Sequence, residues 1–209
     1  MTTKVYDTFD GTNGTDLSAH TPDTDVVGGG WSQSPANGLE LDGSGAAKWA
    51  ASTDSAAINA GSTNQRVSTN FSPGGADNRM GVRARSNGLF GTSEIMYYIN
   101  FRSGDSGGRL RLYKYISGTA TLLSDVAHTI NLSSTYLVEI EAIGTAIKTY
   151  IDSVQQQSVT DSAITTGNYS GIQGFLRSSA NGRFYDFTID DTVSGAALYF
   201  NHLMKIHNG

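Results

Sequence analysis

Residues 136–152 read YLVEIEAIGTAIKTYID and contain the clearest fold signal in the chain. In the first half, apolar residues at the even positions alternate with Glu139 and Glu141, which is the pattern of a strand with one buried face. Gly144-Thr145 then supplies a turn, and residues 146–152 continue as a second apolar-rich strand. This stretch predicts an antiparallel β-hairpin.

Similar strand patterns recur on both sides of the hairpin, and no window shows a sustained helical period. Residues 55–60 are alanine-rich and leave strand and helix open. The whole pattern predicts an all-β fold, an antiparallel two-sheet sandwich. The predicted strands are residues 5–9, 39–41, 48–51, 65–71, 79–85, 94–101, 109–116, 171–177 and 183–190.

Composition agrees with short strands and many turns. Only 16% of the residues are charged and 25 of the 209 residues are glycine. The net charge of −5 gives no basic surface for a nucleic acid, so we expect no nucleic-acid partner. No cysteine is present, which excludes disulfides and thiolate metal sites. Because no signal peptide and no apolar run of membrane-spanning length is found, we expect synthesis in a cytoplasm and no membrane insertion.

Several short motifs resemble one known family. The opening contains Asp7-Thr8-Phe9, then Leu17-Ser18-Ala19-His20-Thr21-Pro22, then Gly29-Gly30-Trp31. Together with the hairpin and the closing segment Phe184-Tyr185-Asp186-Phe187, these resemble concanavalin A-like lectin/glucanase (LamG-like jelly-roll) domains of the kind found in bacteriophage structural proteins. The resemblance implies that residues 1–190 form a concanavalin A-like jelly-roll domain, an antiparallel two-sheet jelly-roll sandwich. It also implies an Asp-Gly turn after the hairpin, where this chain has Ser153 instead of glycine.

Residues 191–209 form a separate C-terminal tail that is too apolar for a solvated extension. Two interpretations remain open: a last edge strand on the same sandwich, or an anchor that inserts into a neighbouring subunit. The candidate assembly residues of this tail are Leu198, Tyr199, Phe200, Leu203, Met204 and Ile206.

Catalytic and metal sites have little support in the sequence. Glu139 and Glu141 share a strand face, but the Glu-x-Asp-x-(x)-Glu pattern of the β-glucan hydrolases of this fold is incomplete, so we predict no enzyme activity. The four histidines lack zinc-site spacing. The resemblance suggests one structural calcium ion held by Asp7 with Asp186 or Asp190, although solvated aspartates are the favoured interpretation.

The residues 109–115 provide the candidate binding surface. Arg109, Arg111, Tyr113 and Tyr115 alternate with two leucines and should share one sheet face. Arg83 and Arg85 show the same alternation and are expected beside them. The surface would bind a glycan or a protein partner, or it is simply a solvated sheet face.

The leading functional prediction is a non-enzymatic bacteriophage protein on the virion surface: a capsid decoration, a head fibre or a tail-associated module. Its expected partners are other virion proteins, further copies of itself in a homo-oligomer, and cell-surface or environmental polysaccharide. The alternative is a free carbohydrate-binding module, and the third interpretation is a glycan hydrolase.

Overall fold

The computed structural model describes residues 1–36, 38–49, 53–75, 78–102, 108–175 and 181–192. These residues form antiparallel strands and two short 3-10 turns, η1 (Leu17–Ala19) and η2 (Gly91–Ser93). The strands are β1 (Thr2–Asp7), β2 (Thr24–Asp25), β3 (Ser32–Ser34), β4 (Leu39–Leu41), β5 (Ala47–Trp49), β6 (Thr53–Asn59), β7 (Gln65–Ser72), β8 (Arg79–Ser86), β9 (Met96–Arg102), β10 (Arg109–Ile116), β11 (Thr119–Ala127), β12 (Tyr136–Ile143), β13 (Ala146–Ile151), β14 (Val154–Thr160), β15 (Tyr169–Phe175) and β16 (Arg183–Asp191).

The strands assemble into two sheets. The nine-stranded sheet has the order β14-β13-β12-β7-β16-β1-β2, and β5 adds to β16 and carries β4. The seven-stranded sheet has the order β11-β10-β9-β8-β15-β6-β3. All of the paired strands run antiparallel in the described residues, which confirms the predicted two-sheet antiparallel sandwich.

The core lies between the inner faces of the two sheets. Strand β7 alternates strictly between buried and half-buried residues, as a strand with one core face should. Its Phe71 meets Phe101 of the seven-stranded sheet edge-to-face, with ring centroids 4.9 Å apart. Leu110 and Leu112 of β10 are fully buried on the same inner side.

The motifs of the N-terminal segment converge on one carboxylate. Asp7 is fully buried, and its Oδ1 accepts a hydrogen bond from the Phe9 backbone N–H at 2.7 Å and lies 2.9 Å from Nε2 of His20. Its Oδ2 accepts the indole N–H of Trp31 at 2.7 Å. Trp31 packs on Phe187 of β16, with ring centroids 4.9 Å apart. Asp7 therefore joins β1, the segment after η1 and the approach to β3.

The turn between β13 and β14 has two residues in the left-handed region, with φ of 49° at Asp152 and 66° at Ser153. Positive φ at both central positions is the geometry of a type I′ hairpin turn, which Asp-Gly sequences favour. The replacement of glycine by Ser153 therefore keeps the turn type that the resemblance implied.

The C-terminal end of the described fold is strand β16. It extends one residue beyond the predicted domain boundary, because Asp191 is still paired with Thr2 and Gln65. The six candidate assembly residues of the tail lie outside the described residues, so the division into domain and tail stays a prediction. No helix within the described part of the chain has the length and apolar character needed to cross a bilayer.

Candidate functional site

The outer surface of the seven-stranded sheet, here called the polar face, contains most of the predicted binding residues. Strand β10 directs Arg109, Arg111, Tyr113 and Tyr115 to this surface, because the alternating leucines are buried in the core. Their shared face was predicted from the alternation and is found in the structure. Opposite them on β9 are Arg102, Asn100, Tyr98 and Met96, in that order.

Arg83 lies on the polar face but beneath its surface. Its side chain is fully buried, and its guanidinium group contacts Glu94 at 3.1 Å and donates to Ser86 Oγ at 2.6 Å. It also bonds Ser55 Oγ and lies over the ring of Phe90. Burial lowers the pKa of Arg83 to about 10, so the group stays charged at neutral pH. Arg83 supports the surface from below, whereas the sequence placed it among the exposed contacts.

Arg85 does not belong to the polar face, and its predicted position there is wrong. The residue has a φ of 50°, and the pairing of β8 with β15 shifts register next to it, as at a β-bulge. The bulge breaks the alternation, so the side chain turns to the backbone carbonyls of Thr63 at 2.7 Å and Gly144 at 2.6 Å. Arg85 is buried and holds loops together.

A cleft of about 570 Å³ opens at one end of the polar face. Its walls include Ser55 and Gln173 of neighbouring strands, Tyr115, and the segment from Phe90 to Glu94. Burial raises the pKa of Glu94, and the charge of Arg83 opposes that rise. The cleft therefore combines two aromatic rings with carboxylate, amide and hydroxyl groups, and the buried Arg83 holds the Glu94 carboxylate and the Ser55 hydroxyl group in place.

The opposite end of the polar face is rich in arginine. Arg79, Arg102 and Arg109 occupy adjacent positions on β8, β9 and β10. The Nε–H of Arg109 donates to Asp125 Oδ1 at 2.6 Å, and that of Arg111 donates to Oδ2 at 3.0 Å. Burial raises the pKa of Asp125, but these two bonds outweigh it and bring the pKa below its ordinary value of 3.8.

The two carboxylates considered for glycan hydrolysis lie on the opposite side of the molecule, on the outer face of the nine-stranded sheet. Glu139 forms an ion pair with Arg66, whose Nη2 is 2.7 Å from Oε2. Glu141 Oε1 lies 3.5 Å from Lys148 Nζ, and Arg66 also stacks on Tyr150. Both carboxylates are engaged in ion pairs, that of Glu139 being largely buried, and neither is among the residues that line the cleft.

The aspartates proposed for calcium already bind protein donors. Asp7 accepts the bonds described above, Asp186 Oδ2 accepts from Asn70 at 3.2 Å, and Asp190 Oδ1 accepts from Thr3 at 2.8 Å. Within the described ranges, no group of three or more histidine, aspartate or glutamate side chains is placed to hold a metal ion. These contacts give the calcium hypothesis no further support.

Comparison with solved structures relates the chain to lectin-like sandwiches. A β-glucanase of Bacillus licheniformis superposes with a TM-score of 0.63 at 11% identity, covering 92% of this chain and 99% of that one. A protein of unknown function with a galectin-like fold from Bacillus subtilis gives 0.57 at 11% identity, with coverage of 78% and 90%. The VIP36 exoplasmic/lumenal domain, in a Ca²⁺/Man₃GlcNAc-bound form, gives 0.56 at 10% identity, with coverage of 82% and 87%.

At these identities the likeness establishes the fold, a concanavalin A-like jelly roll, and the predicted fold class is confirmed. No protein-family model and no curated protein sequence matches the chain. The structural neighbours include both glucanases and carbohydrate recognition domains.

Sequence reasoning found the β10 residues of the polar face but missed most of the cleft. Glu94, Phe90, Ser55 and Gln173 come from separated parts of the chain, and only the pairing of β6 with β15 and β15 with β8 brings them together. Glu94 was included in a predicted strand, yet it precedes β9 and lies in the cleft wall.

Proposed function

We propose that this chain is a carbohydrate-binding domain and that the cleft of the polar face is its binding site. The observation that carries the proposal is the composition of the cleft, in which Tyr115 and Phe90 lie with Glu94 and Gln173. A sugar ring has apolar C–H faces and a rim of hydroxyl groups. It therefore requires an apolar wall together with a few fixed polar groups, which is the usual composition of small-ligand sites.

The polar groups of the cleft are held in place before any ligand arrives. Arg83 lies beneath them and bonds both Glu94 and Ser55, while Ser55 Oγ lies 3.5 Å from Gln173 Oε1. A buried charged residue with several bonds has little rotational freedom. Such preorganisation lowers the entropic cost of binding.

The structural neighbours support the proposal by analogy of fold. One of them, the VIP36 domain, is in a Ca²⁺/Man₃GlcNAc-bound form, and another is a carbohydrate recognition domain. Because the same fold serves lectins and hydrolases, the argument depends on the cleft itself.

The proposal is tested by glycan-array screening followed by calorimetric titration of the best ligand. We expect Tyr115→Ala and Gln173→Ala each to weaken binding about tenfold or more, since each removes a direct contact worth about 1.4 kcal/mol. Tyr150→Ala is the matched control, because Tyr150 lies on the nine-stranded sheet beside Arg66. A blank array, or equal binding by Tyr115→Ala and the unaltered chain, would contradict the proposal.

We propose binding without hydrolysis. Asp54 and Glu94 both line the cleft, and burial raises the pKa of Glu94, as a general acid requires, but Glu94 is paired with Arg83 at 3.1 Å and supports the site. Incubating the bound glycan with the protein should release no new reducing ends. Release that Glu94→Gln abolishes would identify a hydrolase instead.

The role of a bacteriophage virion surface protein stays a prediction. In that role the folded domain would adhere to glycans. The tail would attach the domain to other virion proteins or to further copies of the chain. We expect purified particles to contain the full chain, and we expect a shortened chain that lacks residues 195–209 not to be incorporated. Unchanged incorporation of the shortened chain would count against attachment through the tail.

A further inference from the structure

The turn between β10 and β11 forms one wall of the cleft. Its two central residues, Ser117 and Gly118, both line the cleft together with Tyr115 of the same hairpin. Ser117 has a φ of 50° and Gly118 a φ of 74°, and positive φ at both positions is the geometry of a type I′ hairpin turn. Such turns favour asparagine, aspartate or glycine at the first of these positions. Ser117 therefore has a strained backbone at the edge of the proposed binding site.

The comparable turns outside the cleft have residues that suit this position. Gly144, with a φ of 55°, occupies it between β12 and β13, and Asp152, with a φ of 49°, occupies it between β13 and β14. Neither residue is among those that line the cleft. Strain alone does not identify a binding residue, because Ser153 also has a positive φ. Ser117 differs in that its strained backbone lies in the cleft wall, and strained residues concentrate at binding sites.

Contacts with the neighbouring wall hold this turn in place. The backbone N–H of Gly118 donates to the carbonyl oxygen of Glu94 at 3.0 Å. A Cβ atom at Gly118 would lie 2.8 Å from both the Gly91 carbonyl oxygen and the Cα of Thr92, so the two backbones are in direct contact. The position of Ser117 relative to Glu94 is therefore set before any ligand binds.

The side chain of Ser117 is available to a ligand. Ser117 is exposed, and its hydroxyl group has no hydrogen-bond partner among the described residues. The hydroxyl group of Ser55 in the same cleft, in contrast, is bonded to the buried Arg83. A serine hydroxyl group both donates and accepts a hydrogen bond, as a sugar hydroxyl group does. The two groups can therefore pair in either direction.

We propose that Ser117 determines specificity in the cleft, and that its hydroxyl group bonds one hydroxyl group of the sugar unit held against Tyr115. The inference rests on the proposed carbohydrate binding and names a residue that selects the ligand. A site that bonds a particular hydroxyl group discriminates against sugars in which this group is absent or points elsewhere. Glycine would relieve the backbone strain at this position, but it would also remove the hydroxyl group.

Two substitutions test the proposal, with a printed glycan array as the probe and calorimetric titration of its strongest-binding glycan. Ser117→Ala removes only the hydroxyl group, whereas Ser117→Gly removes it and relieves the strain. We expect both variants to bind that glycan about three- to tenfold more weakly. We expect Ser117→Gly to have a higher urea midpoint than the unaltered chain, because the relieved strain exceeds the added freedom of the unfolded state.

The array also reports selectivity. Glycans that differ from the strongest-binding one at a single hydroxyl group should lose less affinity in Ser117→Ala, so the order of the glycans should change. A general loosening of the cleft would instead weaken binding of all glycans by a similar factor.

Ser153→Gly is the matched control. It is the same substitution at a left-handed position that does not line the cleft. It should raise the urea midpoint and leave glycan binding unchanged. Affinity lost in Ser117→Gly and kept in Ser153→Gly assigns the loss to the cleft wall and not to the change in stability.

The outcomes separate this inference from the proposed function. Unchanged binding in Ser117→Ala, with loss of binding in Tyr115→Ala, would overturn the role of Ser117 and leave carbohydrate binding in place. A uniform decrease over all glycans of the array would mean that Ser117 supports the wall without selecting the ligand, which also overturns the inference. An array that is blank for the unaltered chain contradicts the proposed function and the inference together.

Discussion

Individual residues at turns decide how much strain the fold contains. Ser153 has a φ of 66°, a conformation that costs a residue with a side chain about 1–2 kcal/mol, whereas glycine adopts it freely. Glycine also gives the unfolded chain more conformational freedom, which lowers the free energy of unfolding by about 0.4–1 kcal/mol and offsets part of the gain from relieved strain. We therefore expect Ser153→Gly to raise the free energy of unfolding by roughly 0.5–1 kcal/mol.

Urea unfolding of both proteins measures this difference. Ser158→Gly serves as control, because Ser158 is exposed within strand β14 and is not among the residues with positive φ. There the substitution should destabilise by about 0.5–1 kcal/mol. If both variants lose stability, the strain assigned to Ser153 is absent.

Single residues also limit what the sequence can reveal. The alternation within residues 79–85 predicted that Arg83 and Arg85 both lie on the polar face, and only Arg83 does. The φ of 50° at Arg85 rotates its side chain away, and nothing in the composition of the strand signals that bulge. Side-chain direction depends on register with a neighbouring strand, which is a property of the folded sheet.

At the scale of elements, the strands with a strict apolar alternation were found from the sequence, and the sheet edges were not. Strand β12, whose alternate apolar residues Val138, Ile140 and Ala142 lie in the core, is in the predicted hairpin, whereas β11 and β14 at the edges were missed. Edge strand β11 is exposed over its first four residues, so burial imposes no alternation there. The ambiguous segment 55–60 overlaps β6, where pairing with β3 and β15 fixes the strand.

The N-terminal elements depend on Asp7, which links β1 to His20 and Trp31. We expect Asp7→Asn to lower the free energy of unfolding by about 1–3 kcal/mol, because an amide has one acceptor oxygen and would direct its own N–H groups at another donor. Urea unfolding followed by tryptophan fluorescence measures the loss. Asp190→Asn is the matched control, since Asp190 bonds the exposed Thr3 hydroxyl group, and its effect should stay within about 0.5 kcal/mol.

Equal losses in the two variants would mean that Asp7 is no more important than a surface aspartate. The measured difference therefore tests whether the three opening motifs act as one network.

For the whole molecule, the carboxylates determine stability in acid. Asp161 illustrates the cause: burial raises its pKa, but bonds from Lys114 and Tyr97 at 2.6 and 2.7 Å outweigh burial and lower it. The pKa values of Asp23, Asp42 and Asp125 are also lowered by hydrogen bonds. A carboxyl group whose pKa is lowered in the folded state stabilises the fold at pH values above its ordinary pKa of 3.8. That contribution is lost as the pH falls through the pKa of the group in the folded state.

We therefore expect the urea midpoint to be steady above about pH 5 and to fall steeply below pH 3.8. Glu94, with a raised pKa, acts in the opposite direction and reduces the slope in part. Asp161→Asn lacks one of the four groups, so its midpoint should depend less on pH than that of the unaltered chain. A midpoint that does not change down to about pH 3 would contradict this account.

The position of β16 in the nine-stranded sheet has a consequence for biosynthesis. This strand lies between β7 and β1, so it joins the part of the sheet formed by β7 and β12–β14 to the part formed by β1 and β2. At about 5–20 residues per second, a ribosome adds residue 191 roughly 10–40 s after β1 is made. During that interval both parts expose an open strand edge to the cytosol, and a nascent chain halted before residue 183 would be a substrate for chaperones or a seed for aggregation.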